Sequence, residues 1–215
     1  MDIGVCVASH VGDIDYVVRA EELGYSHAWL ADSQMLWSDC YAALALVADR
    51  TSTINIGTGV SVSGTRPAPV TAASIATINA LAPGRTFLGL GTGNTAMRIM
   101  GHKPQRIAEF DQYLEAIKPL LKGEEAEHSF GGHVSPIRHI MPDKGFVNFE
   151  DPIPLYVSGF GPKSLALAGK HADGAVLSIP PDTQAMDRTW EMIERGAAEA
   201  GRELDRENYL TCSLT

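Results

Sequence analysis

The chain has 215 residues, 45% of them hydrophobic and 20% charged, enough to bury a sizeable core without disulfide or metal staples. Its 26 acidic and 17 basic residues leave a formal charge of −9, which argues against a nucleic-acid partner, and no apolar run reaches the roughly 20 residues of a membrane span. Three scattered cysteines (Cys6, Cys40, Cys212) and an N-terminus without the basic region of a secretory signal fit a cytoplasmic protein.

Short apolar runs alternate with helical periods along the chain. Ile3–Ala8 predicts the first strand, and Ile14, Val17, Val18 and Leu23 mark a helix closed by Gly24. A second strand is expected over His27–Ala31, with a helix over Tyr41–Asp49. The third apolar run, Ile54–Val62, precedes Pro67 and a helix over Val70–Leu81. Thr86–Leu90 predicts a fourth strand, and Glu109 and Asp111 fall within the helical pattern that follows. Glu124–Pro154 breaks the rhythm with Gly131-Gly132 and four prolines, and reads as a hairpin or insertion. Strands then recur at Leu155–Ser158, Ala175–Ile179 and Tyr209–Leu214, separated by helices over Lys163–His171 and Thr183–Ala200.

Strands joined by helices argue for βαβ units and a parallel sheet within one domain spanning residues 1–215. A (β/α)8 barrel takes about 250 residues and eight strands, whereas seven runs are counted here. Either the barrel is incomplete or the sheet is an open, doubly wound one. In both architectures ligands bind at the carboxyl ends of the strands.

Those ends carry the candidate chemistry. Gly89-Leu90-Gly91-Thr92-Gly93-Asn94 follows the fourth strand, where glycines allow backbone amides to approach an anion. Its third glycine is misplaced for a dinucleotide fingerprint, and no acidic strand end follows at the required distance. Ser158-Gly159-Phe160-Gly161-Pro162 is the better phosphate candidate, because Pro162 suits the first turn of a helix whose positive end faces the glycines. After the third run, Arg66 could rim a flat ligand or make a structural ion pair. Asp32, followed by Ser33, could accept a ligand hydroxyl, orient a proton carrier, or merely cap a turn. His10 ends the first strand as a scaffold residue or a catalyst. His102, His128, His133 and His139 lack metal-ligand spacing with carboxylates, so no metal site is expected.

In their order, these segments resemble the bacterial luciferase-like flavin-dependent oxidoreductases, particularly the deazaflavin branch with its methylenetetrahydromethanopterin reductases and coenzyme F-420-dependent dehydrogenases. The resemblance rests on His27–Gln34, Ile56–Val60, Thr65–Thr77, Pro83-Gly84-Arg85, Gly89–Asn94, Ser158–Lys163 and His171–Gly174, and runs along essentially the whole chain. It implies a (β/α)8 TIM barrel with 124–154 as an insertion, lacking the C-terminal strand and helices. It further implies coenzyme F-420 or FMN as cofactor, a small-molecule substrate, a homodimer, and a flavin reductase partner if FMN is used. By the same resemblance Asp32 contacts the ring, Gly59 and Val60 form a bulge behind it around a cis peptide, Thr92, Gly93 and Asn94 hold the ribityl chain or phosphate, and Gly159, Phe160 and Gly161, with Ser158, hold the phosphate. Ser33 stands where many relatives carry histidine, which leaves His10 as the substitute acid or base.

The alternatives are an FMN-dependent monooxygenase, a flavin-binding protein without turnover, and a nicotinamide-dependent open-sheet enzyme. The last requires the first strand to be central in its sheet.

Overall fold

A computed structural model describes residues 2–178, 182–206 and 209–213. The strands are β1 (Gly4–Ala8), β2 (His27–Ala31), β3 (Asn55–Thr58), β4 (Ser61–Val62), β5 (Thr86–Gly91), β6 (Ala126–Phe130), β7 (His133–Ile137), β8 (Leu155–Ser158), β9 (Gly174–Leu177) and β10 (Leu210–Ser213). The helices are α1 (Asp15–Glu22), α2 (Cys40–Arg50), α3 (Ala68–Leu81), α4 (Thr95–Ile99), α5 (Ile107–Leu120), α6 (Pro162–His171) and α7 (Thr183–Glu199). Expected and observed elements agree within a few residues. Ile179 and Leu214, expected at strand ends, lie outside the described residues.

The third apolar run is not one strand. It divides into β3 and β4 around Gly59 and Val60, whose connecting peptide is cis. Within 124–154 the expected hairpin is present as antiparallel β6 and β7. Gly131 and Gly132 turn it with φ of 60° and 82°, the positive pair that a tight hairpin turn demands.

The main sheet runs β1-β2-β3-β5-β8-β9-β10, all parallel, with β4 paired to β5 off this path. β1 ends this order rather than occupying its centre, which removes the open-sheet alternative. The sheet also curls. Trp29 on β2 and Tyr156 on β8 have ring centroids 5.0 Å apart. Two strands separate them, so in a flat sheet they would stand roughly 14 Å apart. Phe87 on β5 fills the same concave face, 4.2 Å from Trp29 and 5.6 Å from Tyr156, and Val176 of β9 joins them. Gly57 on β3 leaves the room: a Cβ there would collide with the Phe87 ring.

The convex face packs under the helices. Leu30, Ile56, Leu88, Leu90 and Val157 of the strands form one core with Leu44, Ile75, Phe110, Leu114 and Leu165 of the helices. α6 and α7 cross closely at Gly169 and Gly196, where added Cβ atoms would run into the opposing backbone. Asp39 caps α2 through the Ala42 amide, and Asp182 caps α7 through Gln184 and Ala185.

Glu21, near the end of α1, fixes the entrance to β3. One of its carboxylate oxygens accepts hydrogen bonds from the amides of Ser52, Thr53 and Ile54 and from the Thr53 hydroxyl, at 2.6–3.0 Å. Partial burial works to raise its pKa, but these bonds outweigh it and hold the carboxyl down from the ordinary 4.5 to about 2. A carboxyl depressed in the folded state stabilises above its unfolded pKa, and that contribution disappears as pH falls from 4.5 toward 2. The urea midpoint of the wild type is therefore expected to fall more steeply across this window than that of Glu21→Gln. Parallel pH profiles for the two proteins would remove this role.

Candidate active site

The carboxyl ends of the strands collect the polar residues. Asp32, one residue beyond β2, is almost completely buried. Its Oδ1 accepts a hydrogen bond from Gln34 Nε2 at 2.5 Å. Its Oδ2 accepts from Ser61 Oγ of β4 at 2.8 Å and from Arg66 Nη1 at 2.6 Å. The carboxylate thus uses three of its roughly four acceptor positions inside the protein. Ser61 Oγ also lies 2.9 Å from the Tyr41 hydroxyl. Burial pushes the Tyr41 hydroxyl well above its ordinary pKa, which keeps its proton in place.

Arg66 makes the structural ion pair that was one of its two expected roles. Its second nitrogen donates to Asp39 Oδ2 at 2.8 Å, and its guanidinium lies 5.0 Å from the Tyr41 ring centroid. Burial alone would lower its pKa. The neighbouring Asp32 carboxylate, with Tyr41, more than offsets this and holds the group above its ordinary value. The ensemble ties β2, β4 and the start of α3 to the N-cap of α2. Gln34 is oriented by this carboxylate, which can only accept, so the amide turns its nitrogen inward. Its carbonyl oxygen is buried without a hydrogen-bond partner among the described residues.

Two glycine-containing loops leave adjacent strands. β5 and β8 are hydrogen-bonded with Leu90 opposite Val157, so Gly91–Asn94 and Ser158–Gly161 begin side by side. In the second loop, Ser164 Oγ donates to the Gly161 carbonyl at 3.0 Å, and Leu165 N donates to it at 3.0 Å. Helix geometry leaves the Lys163 and Ser164 amides of the first turn without intrahelical acceptors. A Cβ on Gly159 would lie 3.0 Å from the Ser164 carbonyl carbon, so the loop rests directly on that turn, whereas one on Gly161 would meet nothing within 4 Å. The free backbone amides of this turn, the Ser158 hydroxyl and the positive end of a ten-residue helix make a donor set that fits a phosphate group. The donors thus fit the phosphate-bearing end of F-420 or FMN.

In the first loop, Gly91 and Thr92 turn their carbonyls to Ser63 and Gln105. Gly93 has φ of 71°, and Asn94 Oδ1 accepts from Arg98 Nε at 2.5 Å. A Cβ on Gly91 would stand 3.0 Å from Val60, so the Val60 side chain packs directly against the start of this loop.

The structure does not gather every candidate. His10 is exposed, and no hydrogen bond joins it to the Asp32 network among the described residues. Ser33 serves through its carbonyl, which accepts from the Leu36 and Trp37 amides. Tyr41, Gln34 and Ser61 were missed. Ser61 alone had a signal, as a polar residue in an apolar run. Away from this end, Asp111, Glu115 and His171 come close enough to share a cation, but the Lys170 ammonium already lies 2.9–3.0 Å from the two carboxylates. Burial lowers the pKa of His171, against the pull of Asp111, 2.6 Å away.

A curled parallel sheet with ligand-type loops at its carboxyl ends is the architecture of a (β/α) barrel protein. The chain belongs to the luciferase-like monooxygenase family, whose model matches residues 12–215. It is 32% identical over 199 residues to the 5,10-methylenetetrahydromethanopterin reductase of Methanolobus tindarius, covering 87% of this chain and 56% of the relative. It is also 32% identical over 203 residues to the F-420-dependent hydroxymycolic acid dehydrogenase of Mycobacterium tuberculosis, covering 88% and 54%. Among solved structures, the coenzyme F-420-dependent tetrahydromethanopterin reductase from Methanopyrus kandleri superposes with a TM-score of 0.78 at 24% identity, over all of this chain and 65% of that one. The chain spans about half the length of the curated relatives it matches.

Removing one member of a buried ion pair leaves the other charge uncompensated, which typically costs about 3 kcal/mol or more. Asp32→Asn is accordingly expected to lower the urea-derived unfolding free energy by about 3 kcal/mol, with Arg66→Met in the same chain restoring part of it. A change within 0.5 kcal/mol, the range of an ordinary surface substitution, would reduce the pair to an incidental contact.

Proposed function

We propose that this chain forms the cofactor-binding part of an oxidoreductase that transfers hydride between coenzyme F-420 and a small organic substrate. The observation that carries the reading is the juxtaposition of the Gly91–Asn94 and Ser158–Gly161 loops on hydrogen-bonded strands, with the α6 N-terminus behind one of them. Membership of the family and the F-420-dependent relatives support the choice of cofactor. A deazaflavin bound there supplies two-electron hydride chemistry; FMN, the alternative, adds reaction with oxygen.

In this reading Ser158, Gly159, Phe160 and Gly161 line the phosphate, which is held by the Ser158 hydroxyl and the Phe160, Lys163 and Ser164 amides, while the Gly159 and Gly161 amides are engaged by the Val176 carbonyl and Ser164 Oγ. Thr92, Gly93 and Asn94 flank the chain between phosphate and ring. Gly59 and Val60 form the wall against which the ring lies flat. Asp32 has a positioning role: it fixes Gln34 and the loop after β2 while its charge is absorbed by Arg66 and Ser61. Ser33 and His10 stand at the same end as the groups available to exchange a proton with solvent. The whole of 1–215 acts as one barrel domain, with 124–154 as its insertion. Exposed Leu46 on α2 and Val70 on α3 fit a homodimer through those helices. Use of FMN would add a flavin reductase partner. No described helix is long and apolar enough to cross a membrane, and a cytoplasmic location accords with this.

Fluorescence titration of the full-length protein with coenzyme F-420 and separately with FMN tests the proposal. Binding of F-420 in preference to FMN is expected. Gly161→Val should fold normally, because its side chain enters open space, yet block the approach of an anion to the amides. Its F-420 affinity is expected to fall about tenfold with an unchanged circular dichroism spectrum. Wild-type affinity in this variant would move the phosphate elsewhere.

A further inference from the structure

We propose that the insertion is a self-association surface: the β6–β7 hairpin and residues 138–146 of one copy dock against the same elements of a second copy across a two-fold axis. This surface is independent of the cofactor reading, and it is distinct from the face on α2 and α3.

The hairpin lacks the layer that a small sheet needs. β6 and β7 pair with each other and with no other described strand, and Ala126 is the one buried residue of the two. A lone two-stranded hairpin is marginal in water unless something packs on it. The segment that follows places Ile140, Met141 and Phe146 in solvent, 88%, 52% and 66% exposed. Between the hairpin and α5 runs a groove of about 890 Å³, with Ala116, Pro119, Phe130 and Val134 among its apolar lining. Its own copy does not fill it, since Ile140 and Met141 stay exposed.

Charge identifies the occupant. Among the residues that line the groove, Glu109 is paired with Arg106, Glu115 with Lys170, and Arg66 with Asp32 and Asp39. Glu125 and Glu127, also in the lining, have no hydrogen bond or ion pair among the described residues. The groove therefore asks for a cation together with apolar side chains. Residues 138–146 offer both. Ala126 stands opposite Ile137, so Glu125 and Arg138 come next at the open end of the hairpin, one on each side of the last pair. Both are exposed, and Arg138 too is unpaired among the described residues. Neighbouring charges of opposite sign are self-complementary under a two-fold rotation, which sets Arg138 of each copy against Glu125 of the other. In this dimer Ile140 and Met141 of each copy enter the groove of the other.

Sedimentation velocity of the full-length protein and of charge-swapped variants tests the surface. Glu125→Arg and Arg138→Glu, both on exposed side chains, should each weaken association at least about tenfold by setting like charges across the axis. Combining the two should restore it, with circular dichroism unchanged throughout. Ile140→Asp should dissociate the copies without rescue by either charge swap. A Leu46→Arg variant separates this face from α2 and α3: association through the insertion survives that change and is lost in Glu125→Arg. Association lost in Leu46→Arg and untouched by Glu125→Arg overturns the insertion surface and keeps the α2–α3 homodimer. A monomeric wild type, or a double charge swap that fails to reassociate, also overturns it.

Discussion

The contact between Trp29 and Tyr156 across the concave face determines where everything else sits. Two aromatic rings on strands separated by two others meet only if the sheet bends, and Phe87 between them makes the bend a packed one. Gly57 provides the space, since a side chain there would occupy the position of the Phe87 ring. Once the sheet is bent, the carboxyl ends of β2, β5 and β8 converge on one mouth. Loops that are distant in sequence then become neighbours without any contact designed between the loops themselves.

At that mouth, the residues that anchor the fold differ from those proposed to bind. A buried ion pair, Asp32 with Arg66, lies inward, joined by Ser61 and Tyr41. A buried carboxylate needs such partners, because burial of an unpaired charge is costly. Having them, it becomes a pin joining β2, β4, α2 and α3. The loops that face outward carry backbone amides and apolar side chains instead. Backbone donors cannot rotate away, so an anion cradle built from them would need no further ordering, while the loop after β2 is held at its base by Gln34 and Asp32.

Much of this was legible in the sequence because it is local. Helix starts follow Asp39, Pro67 and Asp182, and strand runs end at glycine or aspartate, so the alternation of β and α appears from spacing alone. The resemblance on Gly89–Asn94 and Ser158–Lys163 pointed to the end of the barrel where these loops come together. The interior of the site was not legible. Ser61 and Arg66 stand 29 and 34 residues from Asp32, and only the fold unites them. The division of Ile54–Val62 into two strands was hidden for a related reason. An apolar run shows that a segment is buried, but not which neighbours its amides find, and among the described residues β4 pairs with β5 alone. The lysine within the Asp111, Glu115 and His171 group is likewise a product of tertiary contact between α5 and α6.

Hydride transfer, the reaction proposed for this chain, would set a requirement that joins these features. The transferred species is poorly served by water, so the reacting face gains from apolar surroundings and from fixed dipoles rather than mobile ions. A charged, solvated aspartate at the strand end would oppose that requirement, whereas an aspartate neutralised by an inward arginine does not. The methionine, leucine and tryptophan after β2 are exposed, outward of this buried pair. Charge compensation beneath the mouth and apolarity at its rim are therefore two halves of one electrostatic arrangement.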